Sequence, residues 1–367
     1  MPAPSLWRKL IRGFDWPLAA VILAVIAVGL VNLYSATAVN QRPLFTKQLW
    51  AFGLGLGCFT AAALFDYRSY NRLAYFAYAG GIALLLVVLV FGHKVNGARR
   101  WFDLGFFRLQ PSELMKVFML GAMAKFLHED PTPHDRSLRY LGIGMAMALP
   151  PMVLVLAEPD LGTALIIFLA SFTMLLVAKL KAWHLGALTA VGLVLTPIVW
   201  LLLLKPYQRN RILIFLDPDR DPSGAGWHAR QSIFAIGSGR LTGKGLLHGT
   251  QNQLQFLPEH WTDFPFSVLG EEWGFLGGLL LLTLYLFLIL WAIKLAHEAR
   301  DRFGSMLCIG VAALLFWHVF INIGMVSGVL PVVGVTLPLV SYGGSSVITM
   351  MIAVGLLMNV SIRRWAY

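Results

Sequence analysis

A chain of 367 residues that is 58% hydrophobic and 13% charged, with a mean hydropathy of +0.71, lies far outside the soluble globular range. The net charge of +11 reads largely as membrane-topology signal, and nothing in the chain asks for nucleic acid. Cys58 and Cys308 sit inside apolar runs and indicate neither a disulfide framework nor a zinc site, and the nine histidines are scattered without an HExxH pair. The expected class is all-α: a polytopic integral membrane protein forming one domain over 1–367.

In chain order, apolar runs long enough for a bilayer core of ~30 Å predict ten helices. They fall near 17–36, 48–64, 71–92, 112–127, 140–157, 161–180, 184–204, 267–294, 304–328 and 339–361. The first run lacks a small-residue cleavage site, so no cleavable signal peptide is expected. Pro150 and Pro151 predict a kink in the fifth span. Between the seventh and eighth spans lies a polar, Gly- and Arg-rich stretch, 205–266, that reads as a long structureless loop; such loops usually carry function.

An even count puts both termini on one side. That side collects Arg8, Lys9, Arg12, Arg68, Arg72, Arg136, Arg139, Lys179, Lys181, Lys294, Arg300, Arg302, Arg363 and Arg364, the pattern of cytoplasmic connections. Two outer loops are nevertheless basic. Residues 93–111 carry Lys94, Arg99, Arg100 and Arg108; 205–266 carries Lys205, Arg209, Arg211, Arg220, Arg230, Arg240 and Lys244. Two explanations stand side by side: an anionic ligand at the outer surface, or pairing with Asp103, Asp217 or Asp219.

Ionisable residues in or near spans are expensive and point to function by default. Glu113 and Lys116 share a helix face at i,i+3, either as a structural ion pair or as a pair facing a polar cavity with the lysine offered to a phosphate. Asp160 is expected to cap the sixth span near Gly162 or Thr163, with a substrate contact as the alternative. One of Glu271 and Glu272 should pack against a polar group of another helix. Asp263, just ahead of Pro265, could stabilise the start of the eighth span, act as a base, or do both. Prolines and glycines keep 329–338 from forming regular helix, and irregular backbone at that depth must face protein or a wet cavity.

Five stretches carry a resemblance: GARRWFDLGFFRLQPSELMK (97–116), EPDLGT (158–163), AIGSGRLTGKGLLHGTQ (235–251), FLPEHWTDFPFSVLGEEWGF (256–275) and NIGMVSGVLPVVGVTLPLVSYGGSS (322–346). Together they resemble the SEDS family of bacterial shape, elongation, division and sporulation proteins, its RodA branch more than its FtsW branch. Thr336 stands where that branch usually carries proline, and Pro265 where an apolar residue is usual. The resemblance implies ten spans in the bacterial cytoplasmic (inner) membrane, cytoplasmic termini and an active face toward the periplasm. It implies a peptidoglycan glycosyltransferase acting on lipid II and a growing glycan strand during cell elongation. A class B penicillin-binding protein and the elongation machinery would be partners. By the same resemblance Asp263 is the essential aspartate and Glu113 with Lys116 a functional pair.

The chemistry fits the residue types. Joining a 4-hydroxyl to an α-linked anomeric carbon with inversion needs one displacement and no covalent intermediate. Inverting hydrolases use a second carboxyl to protonate a poor leaving group; pyrophosphate leaves as a stable anion, so cations can replace that acid. Asp263 would then be the general base. Arg99, Arg100, Arg108, Arg209, Arg211 and Lys244, with Lys116, form the expected pool for the pyrophosphate. A divalent cation, Mg or Mn, could share that work. The rival functions are a lipid II flippase and a non-catalytic scaffold for the penicillin-binding protein. No internal repeat of the kind common in transporters is visible.

Overall fold

The computed structural model describes residues 13–39, 41–95, 98–103, 105, 108–130, 138–177, 206–217, 220–221, 224–254, 256–257 and 260–364. The predicted span at 184–204 lies outside the described residues, as do Arg8, Lys9, Arg12, Arg136, Lys179, Lys181, Lys205 and Asp219. The other nine predicted spans coincide with helices: α1 Trp16–Ala36, α2 Arg42–Leu64, α3 Tyr67–Phe91, α4 Pro111–His128, α5 Leu138–Ala157, α6 Leu161–Val177, α10 Pro265–Glu298, α11 Arg302–Val326 and α12 Gly344–Arg363. By length and apolarity, six of these (α1, α3, α5, α10, α11 and α12) can cross a membrane, and α6 is a shorter apolar helix.

The centre of the bundle is α12, 94% of whose apolar window is buried, against 22% for α3. Helix α12 packs most extensively on α2, while α11 touches α10, α4 and α6. Helix α10 turns Phe275, Leu279, Leu286 and Leu290 outward, exposed as lipid-facing side chains are. At the opposite end from the irregular segment, Asp15 accepts from Leu18 N (3.3 Å), Trp291 Nε1 (3.0 Å) and Ser361 Oγ (2.8 Å), tying α1 to α10 and α12.

Pro150 and Pro151 both lie inside helix α5. A proline at 151 cannot donate to the carbonyl four residues back, and that carbonyl, Met147 O, accepts the Tyr78 hydroxyl at 2.8 Å instead. The 93–111 loop is not plain coil. It folds into a small antiparallel sheet, β1 His93–Val95, β2 Ala98–Asp103 and β3 Arg108–Leu109, pairing Lys94 with Arg99 and Asp103 with Arg108.

The stretch 205–266 is not structureless either. It holds α7 Pro206–Leu216, α8 Ala225–Ser238 and α9 Thr250–Gln253. Helix α8 turns Gln231, Ser232 and Ala235 inward at helical spacing. There the Ser232 hydroxyl lies 2.6 Å from that of Ser267 and 2.6 Å from Val326 O, so α8 lies across the ends of α10 and α11.

Helix α10 itself breaks at Gly274, whose φ of +65° is a glycine conformation. The break is filled by the preceding loop. Lys244 N and Gly245 N donate to the carbonyls of Glu271 and Glu272 at 3.0 and 2.9 Å, and Phe275 N donates to Arg240 O at 2.9 Å.

Candidate active site

Asp263 ends the turn that enters α10, one residue ahead of the cap position, Phe264. Its backbone is fastened to the irregular stretch between α11 and α12. Asn322 Nδ2 donates to Asp263 O at 3.0 Å and to Val335 O at 2.6 Å, and Tyr342 N donates to Trp261 O at 2.8 Å. The Asp263 carboxylate lies over Gly334: a Cβ at that glycine would stand 3.3 Å from Asp263 Oδ2 and 3.9 Å from Arg211 Nη1. Gly334 also has φ +77°. The absent side chain thus lets a carboxylate and a guanidinium converge on one backbone position. Arg211, on α7, is anchored by its own bond to Val332 O at 3.2 Å.

The same stretch meets the other motifs. A Cβ on Gly162 would fall 2.8 Å from Val335 Cγ2 and 3.0 and 3.1 Å from the carbonyl oxygens of Gly334 and Val333. The start of α6 is therefore pressed onto the segment under Asp263. Asp160 caps α6, accepting from Thr163 N at 3.1 Å and Thr163 Oγ1 at 3.0 Å, as the sequence indicated. It also accepts from Gln110 Nε2 at 3.1 Å. Substituting Gly162 by alanine should cost about 1–3 kcal/mol, since backbone carbonyls cannot step aside as a flexible side chain would. Thermal unfolding in detergent measures this, and an unshifted midpoint would mean the segment is free to move.

Glu113 and Lys116 are buried and joined, Nζ to Oε1 at 2.8 Å, as their i,i+3 spacing predicts. Lys116 Nζ lies also 3.1 Å from His318 Nε2, and His318 Nδ1 lies 2.9 Å from Thr336 O. Thr336 Oγ1 and Ser346 Oγ are 3.0 Å apart. The pair is therefore linked through His318 to the backbone at Thr336.

The remaining predicted cations are engaged in other places. Arg100 donates to Glu158 O at 2.7 Å and to Pro159 O, closing the α5–α6 turn. Arg99 donates to Val90 O at 2.8 Å, and Arg108 lies 3.6 Å from Asp103, so a carboxylate counters part of the basic outer loop. Arg220 pairs likewise with Asp217 at 3.2 Å. Lys244 donates to Glu271 Oε1 at 2.6 Å and Thr250 Oγ1 at 2.9 Å. Glu271 is two helical turns from Asp263, so Lys244 is a pin for the α10 break and not a neighbour of the aspartate. Arg209 stands two residues before Arg211 on α7, a spacing that turns it to another face. Glu272 accepts from Ser35 of α1 at 2.5 Å, the interhelical contact expected of one of the two glutamates.

His318 and Asn322 went unnoticed in the sequence. The signal was there: two polar residues four apart in an otherwise apolar span.

Glu158 is 1% exposed, and neither of its carboxylate oxygens has a hydrogen-bond partner among the described residues. Burial first, then the charge of Asp160, pushes its carboxyl up from 4.5 to about 8, with Arg100 partly opposing. A carboxyl raised on folding costs stability as pH climbs from its unfolded value to its folded one. Glu158→Gln should therefore gain on the wild type between pH ~5 and ~8, by on the order of a few kcal/mol, and no further above. Unfolding midpoints of both proteins across that range would show it; a pH-independent difference would contradict it.

Among the described residues no three His, Cys, Asp or Glu side chains converge as a metal cluster would require. Mg2+ held by one carboxylate and substrate phosphates needs no such cluster.

Residues 16–365 match the family profile described as cell cycle protein, covering FtsW, RodA and SpoVE. The peptidoglycan glycosyltransferase MrdB of Escherichia coli K12 is 41% identical over 360 residues, covering 98% of this chain and 96% of that one. The peptidoglycan glycosyltransferase RodA of Treponema pallidum is 31% identical, covering 96% and 99%. Among solved structures, a chain of a peptidoglycan synthase complex that coordinates polymerization and crosslinking superposes with a TM-score of 0.83 at 37% identity, over 96% of this chain and 99% of that one. The rod shape determining protein RodA of Thermus thermophilus, crystallised as an aspartate-to-alanine mutant, gives 0.72 at 32% identity, over 96% and 99%. The chain is a multi-pass membrane protein and belongs to the FtsW/RodA/SpoVE family.

Proposed function

We propose that this peptidoglycan glycosyltransferase polymerises lipid II with Asp263 as general base. The observation that carries the reading is the convergence of Asp263 Oδ2 and Arg211 on side-chain-free Gly334. A base and a phosphate-binding cation at one backbone position are what the reaction needs. Asp263 takes the proton of the acceptor 4-hydroxyl as that oxygen attacks the donor's anomeric carbon. The bond from that carbon to the pyrophosphate oxygen breaks, and undecaprenyl pyrophosphate departs as an anion. General base catalysis of this kind contributes ~10²–10⁴ in rate.

Arg211 offers the planar fork suited to a phosphate, and Lys116 a point charge linked through His318 to Thr336 O. Fixed cations at a developing negative charge are usually the larger contribution. In this reading ten spans cross the bacterial cytoplasmic membrane, with both termini inside. The segment 205–266 then lies on the periplasmic face, where the lipid-linked sugar is presented. A class B penicillin-binding protein supplies cross-linking, matching the synthase complex in which the superposing chain was solved.

The experiment separates polymerisation from transport. The purified protein goes into proteoliposomes with fluorescent lipid II in one leaflet and a transpeptidase-blocked penicillin-binding partner. Glycan strands are expected from lipid II on the outer leaflet with no translocation needed. Headgroup transfer between leaflets without strands would replace this reading with the flippase.

A further inference from the structure

His318 and Asn322 lie four residues apart on α11, hence on one face about 6 Å apart along the axis. Both are buried, at 2% and 0% exposure. Each spans two elements. His318 reaches Lys116 Nζ (3.1 Å) with Nε2 and Thr336 O (2.9 Å) with Nδ1. Asn322 donates through one amide nitrogen to Asp263 O (3.0 Å) and Val335 O (2.6 Å). The partners fix the chemistry. A carbonyl only accepts, so Nδ1 of His318 carries the proton, and an ammonium only donates, so Nε2 presents its lone pair to Lys116.

One helical face thereby grips two consecutive carbonyls of the irregular segment. From the same two side chains it holds Lys116 at the deeper rung and the backbone of Asp263 at the outer rung. We propose that His318 and Asn322 are positioning residues that set the base and the buried cation at a fixed separation across residues 335 and 336. The proposal rests on the reading of Asp263 as base. Neither residue touches substrate. Each acts through the group it holds, and a misplacement near 1 Å at a reacting group can cost about 10²-fold in rate.

The test uses the full chain in complex with its transpeptidase-blocked partner and lipid II as the probe, with kcat and KM measured separately. Asn322→Ala and His318→Leu should lower kcat by about 10²-fold with KM within about threefold, the signature of lost transition-state positioning. His318→Gln places an amide donor and acceptor where the ring nitrogens were and should recover at least a tenth of the wild-type kcat; Asn322→Ser, keeping one donor, should fall between Asn322→Ala and wild type. These two conservative variants keep the test decisive where a truncated protein does not fold. Unchanged kcat, a change confined to KM, or His318→Gln as poor as His318→Leu would each overturn the proposal. Asp263→Ala is run alongside. If it polymerises at the wild-type rate, the base reading itself falls; if it is inactive while Asn322→Ala has wild-type kcat, only the positioning proposal falls.

Discussion

Lys116→Met is expected to destabilise the protein by about 3–5 kcal/mol, because it leaves the Glu113 carboxylate buried without its counter-charge. The pair is nearly closed to solvent: the two side chains are 1% and 7% exposed, and Glu113 Oε2 has no hydrogen-bond partner among the described residues. Removing both charges is a different experiment. Glu113→Gln with Lys116→Met should recover most of the lost stability, since replacing a buried pair by neutral groups is often neutral or stabilising. It should not recover polymerisation, because the cation held by His318 would still be missing. Unfolding midpoints and lipid II turnover on the two variants separate these effects. A double variant with wild-type turnover would reduce the pair to a structural role.

Asp263→Asn is expected to lower turnover by about 10²–10⁴-fold while leaving lipid II affinity near the wild-type value. The amide keeps the size of the side chain over Gly334 and removes its capacity to accept a proton. Asp263→Glu keeps the carboxylate and shifts it by roughly one bond length, so it should fall between the two, with a loss of up to about 10²-fold. Binding of lipid II by fluorescence titration, set against initial rates, distinguishes lost chemistry from lost binding. A parallel fall in affinity and rate for Asp263→Asn would make the carboxylate a substrate contact and not a base.

How much of this was legible in the chain depended on how local each feature is. Asp160 capping α6 and Glu113 pairing with Lys116 were readable, because partners three residues apart are fixed by helix geometry alone. The bundle was readable because apolar runs of bilayer length leave little choice of structure. What failed was long-range. The stretch 205–266 looked structureless because its helices are short and polar overall, and α8 gains its inward face only from Ser267 and Val326. The contacts of Arg100 and Lys244 could not be read either, because their partners, the Glu158 carbonyl and the Glu271 carboxylate, lie 58 and 27 residues away. Arg211 came from the same pool, and only the fold set it beside Asp263. His318 and Asn322 were passed over because their meaning lies in 335 and 336, which the sequence marked as irregular without saying what grips them.

The most direct measurement is polymerisation of lipid II by the purified protein with a transpeptidase-blocked penicillin-binding partner, comparing the wild type with Asp263→Ala. Glycan strands are expected from the wild type and none from a folded, partner-bound Asp263→Ala. Strands of equal yield from both would contradict this, and would take the general base away from Asp263.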